Sequence, residues 1–465
     1  MHHRLPFLVL SMLAVLVLLG GCRNGDREGN PRTVILVVVD TLRAEALGTD
    51  AVRKWSVDPE HPVLVYERAY SSSGWTLPSV ASILTGVDPE VHHAHGKATL
   101  LAPLSPDVTT LAEAFRSEGF RTVAVTNAAF LSPLLGLDRG FDVYDHEHAY
   151  NQLGRRADRT VERALEYLAD CGDDDVFLFV HLFDPHLDYD PTAEKLATLA
   201  GEPLSLNAPV TLSLLRELES AGGPTATELR DIRLLYDLEA SAALEAAFAM
   251  CVDAITEERL AGLSFVLTAD HGEEFFEHAG FEHGHSLHTE LVHVPLYIHH
   301  AGDAPTGTTS GVVSTRDLGR HLLEHLELPV PESFAPSTSD WNGTGGGTAY
   351  AATTLYGPDR IALRTDTHSV LLELREGQPA LGATYDLTRD PGEQHALPID
   401  AALRRALLDR RNANRAAGTL TQRLDWQDLG PSKFAERDTL LESLESLGYT
   451  SSERSEDTPQ REDDE

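Results

Sequence analysis

Short apolar runs rich in β-branched residues alternate with stretches of helical period through the first two thirds of the chain. VILVVVD (34–40) is apolar up to its last residue and reads as a strand buried on both faces, ending at Asp40. LPSVASILTG (77–86) reads as a helix with Pro78 in its first turn and Gly86 just past its end, which places Thr76 at a helix N-terminus. TTLAEAFRSEG (109–119) predicts a helix closed by Gly119, followed by a strand RTVAVTN (121–127), a helix near 156–170 and a buried strand VFLFVHLFDPH (176–186). Residues 187–224 have weak periodicity and are expected to make an excursion over the rim of the site. Thr225 and Glu228 form a capping box for a long helix to about Ile255, with Leu235, Leu238, Phe248, Val252 and Ile255 on one stripe. SFVLTADHG (264–272) and VHVPLYIHH (292–300) complete the expected strands. This alternation is the signature of an α/β fold, a mostly parallel sheet sandwiched by helices.

After about residue 335 the texture changes. WNGTGGGT (341–348) reads as a flexible joint, RIALRTDTHSVLLEL (360–374) as an antiparallel hairpin, and helical patterns follow near 400–415 and 438–447. These elements predict a small C-terminal α+β subdomain over 336–450, after a large unit over 33–335. With 465 residues and 42% hydrophobic composition, the chain exceeds what one core usually fills. SSERSEDTPQREDDE (451–465) has too little apolar surface to fold and is expected to be a disordered acidic tail.

At the other end, Arg4 precedes an apolar run from Leu5 to Leu19, too short to span a bilayer comfortably. Leu19, Gly20, Gly21 and Cys22 resemble a bacterial lipobox, so residues 1–22 are expected to be a lipoprotein signal peptide, with a plain membrane anchor as the alternative. Residues 23–32 are polar and read as a tether. The expected location is the cell envelope, with the protein held to a bacterial membrane by a lipid anchor. After processing only Cys171 and Cys251 remain; they either pair or lie as separate core thiols. A net charge of -36 argues against nucleic acid as a partner, because that binding depends on cationic side chains.

Chemistry-bearing residues gather at the C-terminal ends of the predicted strands: Asp40, then Asp184 and His186, then Asp270 and His271. In open α/β sheets that edge is where ligands bind. VILVVVDTLRAEALG resembles the first metal-binding motif of the sulfatases, within the alkaline phosphatase superfamily. SSSGWTLPSVASILTG resembles their nucleophile motif, LTGVDPEVHHAHG its continuation, and TADHGEEFFEH with HGHSLHTELVHVPL the second metal motif. TYDLTRDPGEQHAL (384–397) resembles the family's C-terminal turn. The resemblance implies an alkaline phosphatase-like catalytic domain over 33–335. It also implies that Asp40, Asp270 and His271 hold a divalent ion together with the Thr76 hydroxyl. His285 would stand beside the leaving oxygen or in a second layer around the metal, and His186 would contact the substrate anion or donate a proton. The remaining histidines, His278, His283, His288, His293, His299 and His300, read as ordinary solvated or packed side chains.

The chain departs from the sulfatase pattern in three ways. Thr76 stands where Cys or Ser is converted to formylglycine, and its β-methyl prevents formation of that aldehyde; Val80 replaces the following Arg. Thr41 and His271 replace the usual Asp and Asn, and an imidazole in the shell favours zinc or manganese over calcium. The Lys and Lys-His elements that clamp sulfate are missing, with Asn127 at the corresponding point. These departures favour phosphoester chemistry, hydrolysis or group transfer, through Thr76 on a small-molecule, lipid-headgroup or glycan ester. The alternatives are a sulfuric ester hydrolase that works without formylglycine and a catalytically silent lipoprotein that binds a glycan or envelope anion.

Overall fold

The computed structural model describes residues 30–48, 63–97, 100–147, 156–199, 204–252, 257–302, 305–418, 431–447 and 449. The expected signal peptide (1–22), most of the expected tether (23–32) and the expected acidic tail (451–465) lie outside these residues. Pro31–Glu465 forms one unit by its internal contacts. At the last residue of the expected tether, the Arg32 guanidinium is bound to Asp175 (2.6 Å) and lies over Phe120.

Eight strands build the central sheet: β1 (Thr33–Val39), β2 (Leu64–Tyr70), β3 (Arg121–Val125), β4 (Val143–Asp145), β5 (Val176–Leu182), β6 (Leu263–Ala269), β7 (His293–His300) and β8 (Gly307–Ser314). Their order is β8-β2-β7-β6-β1-β5-β3-β4. Among the described strands of this sheet β7 alone runs antiparallel to its neighbours. β1 and β5 are buried along their whole length, as the largely apolar runs of strands covered on both faces require, with His181 the one ionisable side chain inside them. The fold is the expected mostly parallel sheet with helices on it, but the expected strand set was incomplete. β2 carries Glu67 and Arg68, and β8 opens on GTTSG, so neither shows the apolar run of a central strand.

The helices follow the sequence pattern. α1 (Thr76–Thr85) begins at Thr76 and ends at Gly86, whose φ of 66° gives the left-handed cap that glycine adopts without strain. α2 (Leu111–Ser117) starts with a Thr110–Glu113 capping box, α3 spans Ala157–Asp170 and α4 spans Ala226–Val252. The 187–224 excursion contains two helices, Ala193–Ala197 and Leu212–Ser220. Cys171 is a free, buried thiol that donates to the Tyr167 carbonyl, in line with the core-thiol alternative.

Beyond α5 (Leu318–His325), a four-stranded antiparallel sheet forms the C-terminal subdomain: β9 (Ala349–Ala352), β10 (Arg360–Arg364), β11 (His368–Arg375) and β12 (Gln378–Asp386). The glycine-rich segment leading into it is pinned, because the Asp340 carboxylate accepts from the Thr344 and Gly345 amides. α6 (Ala401–Ala417) and α7 (Pro431–Ser446) are the last helices among the described residues, and Leu440 and Leu444 of α7 are fully buried in the main core.

Candidate metal centre and active site

Parallel strands aim their C-termini at one edge, and that edge collects the polar residues. β1 and β6 are neighbours, so Asp40 and Asp270, each one residue past its strand, come together. β5 flanks β1 on the other side and contributes His181 from inside the strand. Thr76 enters at the first residue of α1.

The side chains face one another across short gaps. His271 Nε2 lies 3.5 Å from Asp40 Oδ1, 3.5 Å from Asp270 Oδ2 and 3.4 Å from Thr76 Oγ1. His181 Nε2 lies 3.7 Å from Asp40 Oδ2 and 3.9 Å from Asp270 Oδ2. All five residues are buried. Hydrogen bonding on the far side of each ring fixes which nitrogen carries the proton. His271 Nδ1 is 2.8 Å from the Gly272 carbonyl and therefore donates, leaving a lone pair on Nε2. His181 Nδ1 donates to the Asn127 side-chain oxygen at 3.3 Å, while the Asn127 amide nitrogen is engaged with Thr160. Two imidazole lone pairs thus point at two carboxylates.

Such an arrangement repels itself unless a cation lies between the groups. Both Asp40 oxygens, Asp270 Oδ2 and His181 Nε2 are buried without a hydrogen-bond partner, a costly condition for ionised groups. Burial and the adjacent Asp270 carboxylate push Asp40 well above the usual carboxylate range. Burial holds His271 below its ordinary value and so keeps it neutral, as a ligand must be. Asp40, His181 and Asp270 form a buried group that could hold a metal ion. The donor set therefore fits a divalent cation, and His181 is a member that sequence reasoning missed. Its signal was a single histidine inside an otherwise apolar strand.

A second layer of aromatic and acidic side chains borders this centre. The His283 ring is 4.4 Å from that of His271 and 5.0 Å from that of His186. His283 Nδ1 is held by Glu273 Oε1 at 2.9 Å, and Tyr189 donates to the other Glu273 oxygen at 3.0 Å. His186 stacks on Phe183 and donates Nδ1–H to the Leu187 carbonyl at 2.8 Å; burial pushes it down to about 4. His285 is paired with an acidic side chain of this second layer. Its Nε2 is 2.6 Å from Glu274 Oε2, its side chain is about one third exposed, and its carbonyl accepts from Arg360. Burial would raise Glu274, but the hydrogen bond from His285 overrides this and brings it down to about 2. The histidine next to the centre is thus His283, one of those expected to be ordinary packing.

Two carboxylates and two imidazoles thus face one another at one edge of the sheet, beside a hydroxyl at a helix N-terminus. The family model for sulfatases matches residues 32–328. The chain belongs to the sulfatase family. Members act on sulfate or phosphate esters, and this chain is an enzyme of that kind. No curated protein matches the sequence.

Solved structures resemble the fold at low identity. A 2-O GAG sulfatase shares 17% identity at a TM-score of 0.63, over 86% of this chain and 94% of that one. The phosphonate monoester hydrolase of Silicibacter pomeroyi shares 17% at 0.61, over 85% and 97%. A protein bound to its substrate D-glucosamine-2-N,6-O-disulfate shares 14% at 0.61, over 83% and 98%. At these identities the likeness speaks for the fold alone. No helix among the described residues is long and apolar enough to cross a membrane.

Proposed function

We propose that this sulfatase-family enzyme cleaves or transfers phosphoesters through the Thr76 hydroxyl. The observation that carries the reading is the position of Thr76 Oγ1, 3.4 Å from His271 Nε2 and at the first residue of α1. Thr76 cannot become an aldehyde, so its oxygen is available as the nucleophile itself. Oγ1 gives up its proton to solvent and attacks phosphorus, the bond to the leaving oxygen breaks, and that oxygen takes a proton from the side of the site lined by His186 and His283. Water or an acceptor hydroxyl then loses its proton as it attacks the phospho-Thr76 ester, and the released Thr76 oxygen takes one up.

A divalent ion held by Asp40, His181, Asp270 and His271 would supply the positive charge that favours the Thr76 alkoxide and the phosphoryl oxygens. Two imidazoles in the donor set favour zinc or manganese, since calcium takes oxygen ligands. Unpaired N–H groups in the first turn of α1 add donors for a phosphoryl oxygen. Small-molecule, lipid-headgroup and glycan esters all offer this group. Lipid anchoring through Cys22 in the cell envelope is part of the same proposal, and would keep the site near surface-bound esters.

The test is a substrate comparison on metal-loaded protein, with an aryl phosphodiester set against the sulfate monoester of the same phenol. The diester should be turned over, and Thr76→Ala should abolish the reaction. Turnover of the sulfate alone would replace this reading with direct sulfatase chemistry, and turnover of neither ester class would favour the silent, anion-binding lipoprotein.

A further inference from the structure

Three donor atoms from remote parts of the chain converge beside the first centre. Tyr449, three residues past α7, places its hydroxyl oxygen 2.6 Å from His186 Nε2 and 3.2 Å from His283 Nε2. All three side chains are buried. The Tyr449 amide donates to the Leu444 carbonyl, so the buried end of α7 carries the ring into the site. Phe130 packs edge-on against Tyr449 at 4.8 Å, and Phe183 stacks on His186 at 4.5 Å.

The far nitrogen of each imidazole is fixed by an oxygen. His186 gives its Nδ1–H to the Leu187 carbonyl at 2.8 Å, and His283 gives its Nδ1–H to the Glu273 carboxylate at 2.9 Å. Both Nε2 lone pairs therefore point at the same phenol oxygen. One phenolic proton answers only one of them, whereas a cation answers both lone pairs and the oxygen as well. Metal-binding histidines hold their second nitrogen in this way, on a carbonyl or a carboxylate. The ring positions agree with such a role. On one tetrahedral ion with bonds of about 2.0–2.1 Å, two imidazole centres lie about 5 Å apart, and an imidazole and a phenolate centre about 6 Å apart. Here the His186 and His283 centres are 5.0 Å apart with their planes at 73°, and the Tyr449 centre is 6.2 Å from each. Ligand atoms on that ion stand about 3.3 Å apart, so seating it only draws the phenol back from His186 by about 0.7 Å.

We infer that His186, His283 and Tyr449 form a second metal site, for a zinc-class divalent ion held by two imidazoles and a phenolate. On binding, the oxygen–hydrogen bond of the phenol gives way to an oxygen–metal bond and one proton leaves to solvent. Two imidazoles favour zinc over calcium or magnesium, which take oxygen ligands. The site shares no ligand with the first centre, although the His283 ring lies 4.4 Å from that of His271. It ties the C-terminal end of α7 to the catalytic edge of the sheet, and it does not depend on the phosphoester reading. An ion with three protein ligands keeps a fourth position for water, so this side of the site retains a proton for a leaving oxygen.

The experiment titrates the metal-stripped full chain with zinc alone and follows bound zinc, the ultraviolet absorption of tyrosinate and the protons released. The wild type should take up two ions per chain, one of them with the tyrosinate band. Tyr449→Phe keeps the ring; it should lose the band and bind one of its ions more than about 100-fold more weakly, since loss of an outer partner alone costs about 10- to 100-fold. His283→Gln should do the same, and the ion retained at the first centre shows that each variant is folded. Asp270→Ala should lose the other ion and keep the band, which separates the two sites. A single ion per chain in the wild type, zinc uptake without the tyrosinate band, or a band unchanged in Tyr449→Phe would each overturn the inference.

Discussion

Replacing Glu393 with Gln should loosen the loop that carries His283 and His285, although Glu393 lies more than a hundred residues away in sequence. Its carboxylate accepts from Arg364 Nη2 at 3.0 and 2.9 Å, from the Ser369 hydroxyl and from the Thr289 amide at 2.8 Å. Its own carbonyl faces His278 Nε2 at 3.0 Å. Glu393 and Arg364 are each about 1% exposed. Burial would raise the carboxyl, but Arg364 and the hydrogen bonds override it and bring it from the usual 4.5 down to about 2. At roughly 1.4 kcal/mol per pH unit, that depression corresponds to about 3 kcal/mol. Breaking a buried pair by removing one partner typically costs about 3–5 kcal/mol, so the two routes agree. The folded value lies below the unfolded one, so the stabilisation is complete above about pH 4.5 and is lost as pH falls toward 2. Two readouts apply: thermal melting, and amide exchange at Thr289, which should quicken by about two orders of magnitude. Replacing both Glu393 and Arg364 with apolar residues should be milder than Glu393→Gln alone, because no buried charge is then stranded. A loss below about 0.5 kcal/mol with unchanged exchange at Thr289 would refute the reasoning.

Other outcomes follow from the same structure. Asp270→Ala and His181→Ala should each lower stoichiometric metal in the purified protein and its melting temperature in metal-containing buffer; full occupancy in the His181 variant would remove His181 from the ligand set. Burial would lower His278, but Glu290 at 2.7 Å overrides it and lifts it to about 9. Its stabilisation is therefore full below about pH 6.5 and lost as pH rises through 9; His278→Gln should flatten this loss of about 1–2 kcal/mol in melts across that range. Cys22→Ser should shift the protein from the membrane to a soluble or unprocessed fraction, and an unchanged acylated product would exclude the lipobox.

The sequence exposed the parts of this fold whose physics is local. A strand buried on both faces is nearly all apolar, so β1 and β5 were legible, and the bounds of α1 were written in Pro78 and Gly86. β2 and β8 escaped because their charged and small residues are tolerated toward the edge of the sheet. Within the candidate site, Asp40, Asp270 and His271 stood out as polar residues immediately after apolar runs. His181 did not, since its role depends on β5 lying beside β1. His283 and His285 share one motif, and only the folded loop separates the one facing His271 from the one paired with Glu274. Tyr449 had no local signal at all, because its partners come from residues 186 and 283.

The central claim is that Thr76 carries the phosphoryl group between donor and acceptor. Intact-protein mass spectrometry of metal-loaded enzyme, quenched during turnover of a phosphodiester, tests it directly. The account predicts an added phosphoryl or phosphoryl-ester mass that maps to Thr76, is absent in Thr76→Ala, and accompanies a rate loss of several orders of magnitude in that variant. An unmodified Thr76 throughout turnover, together with Thr76→Ala retaining its rate, would contradict it.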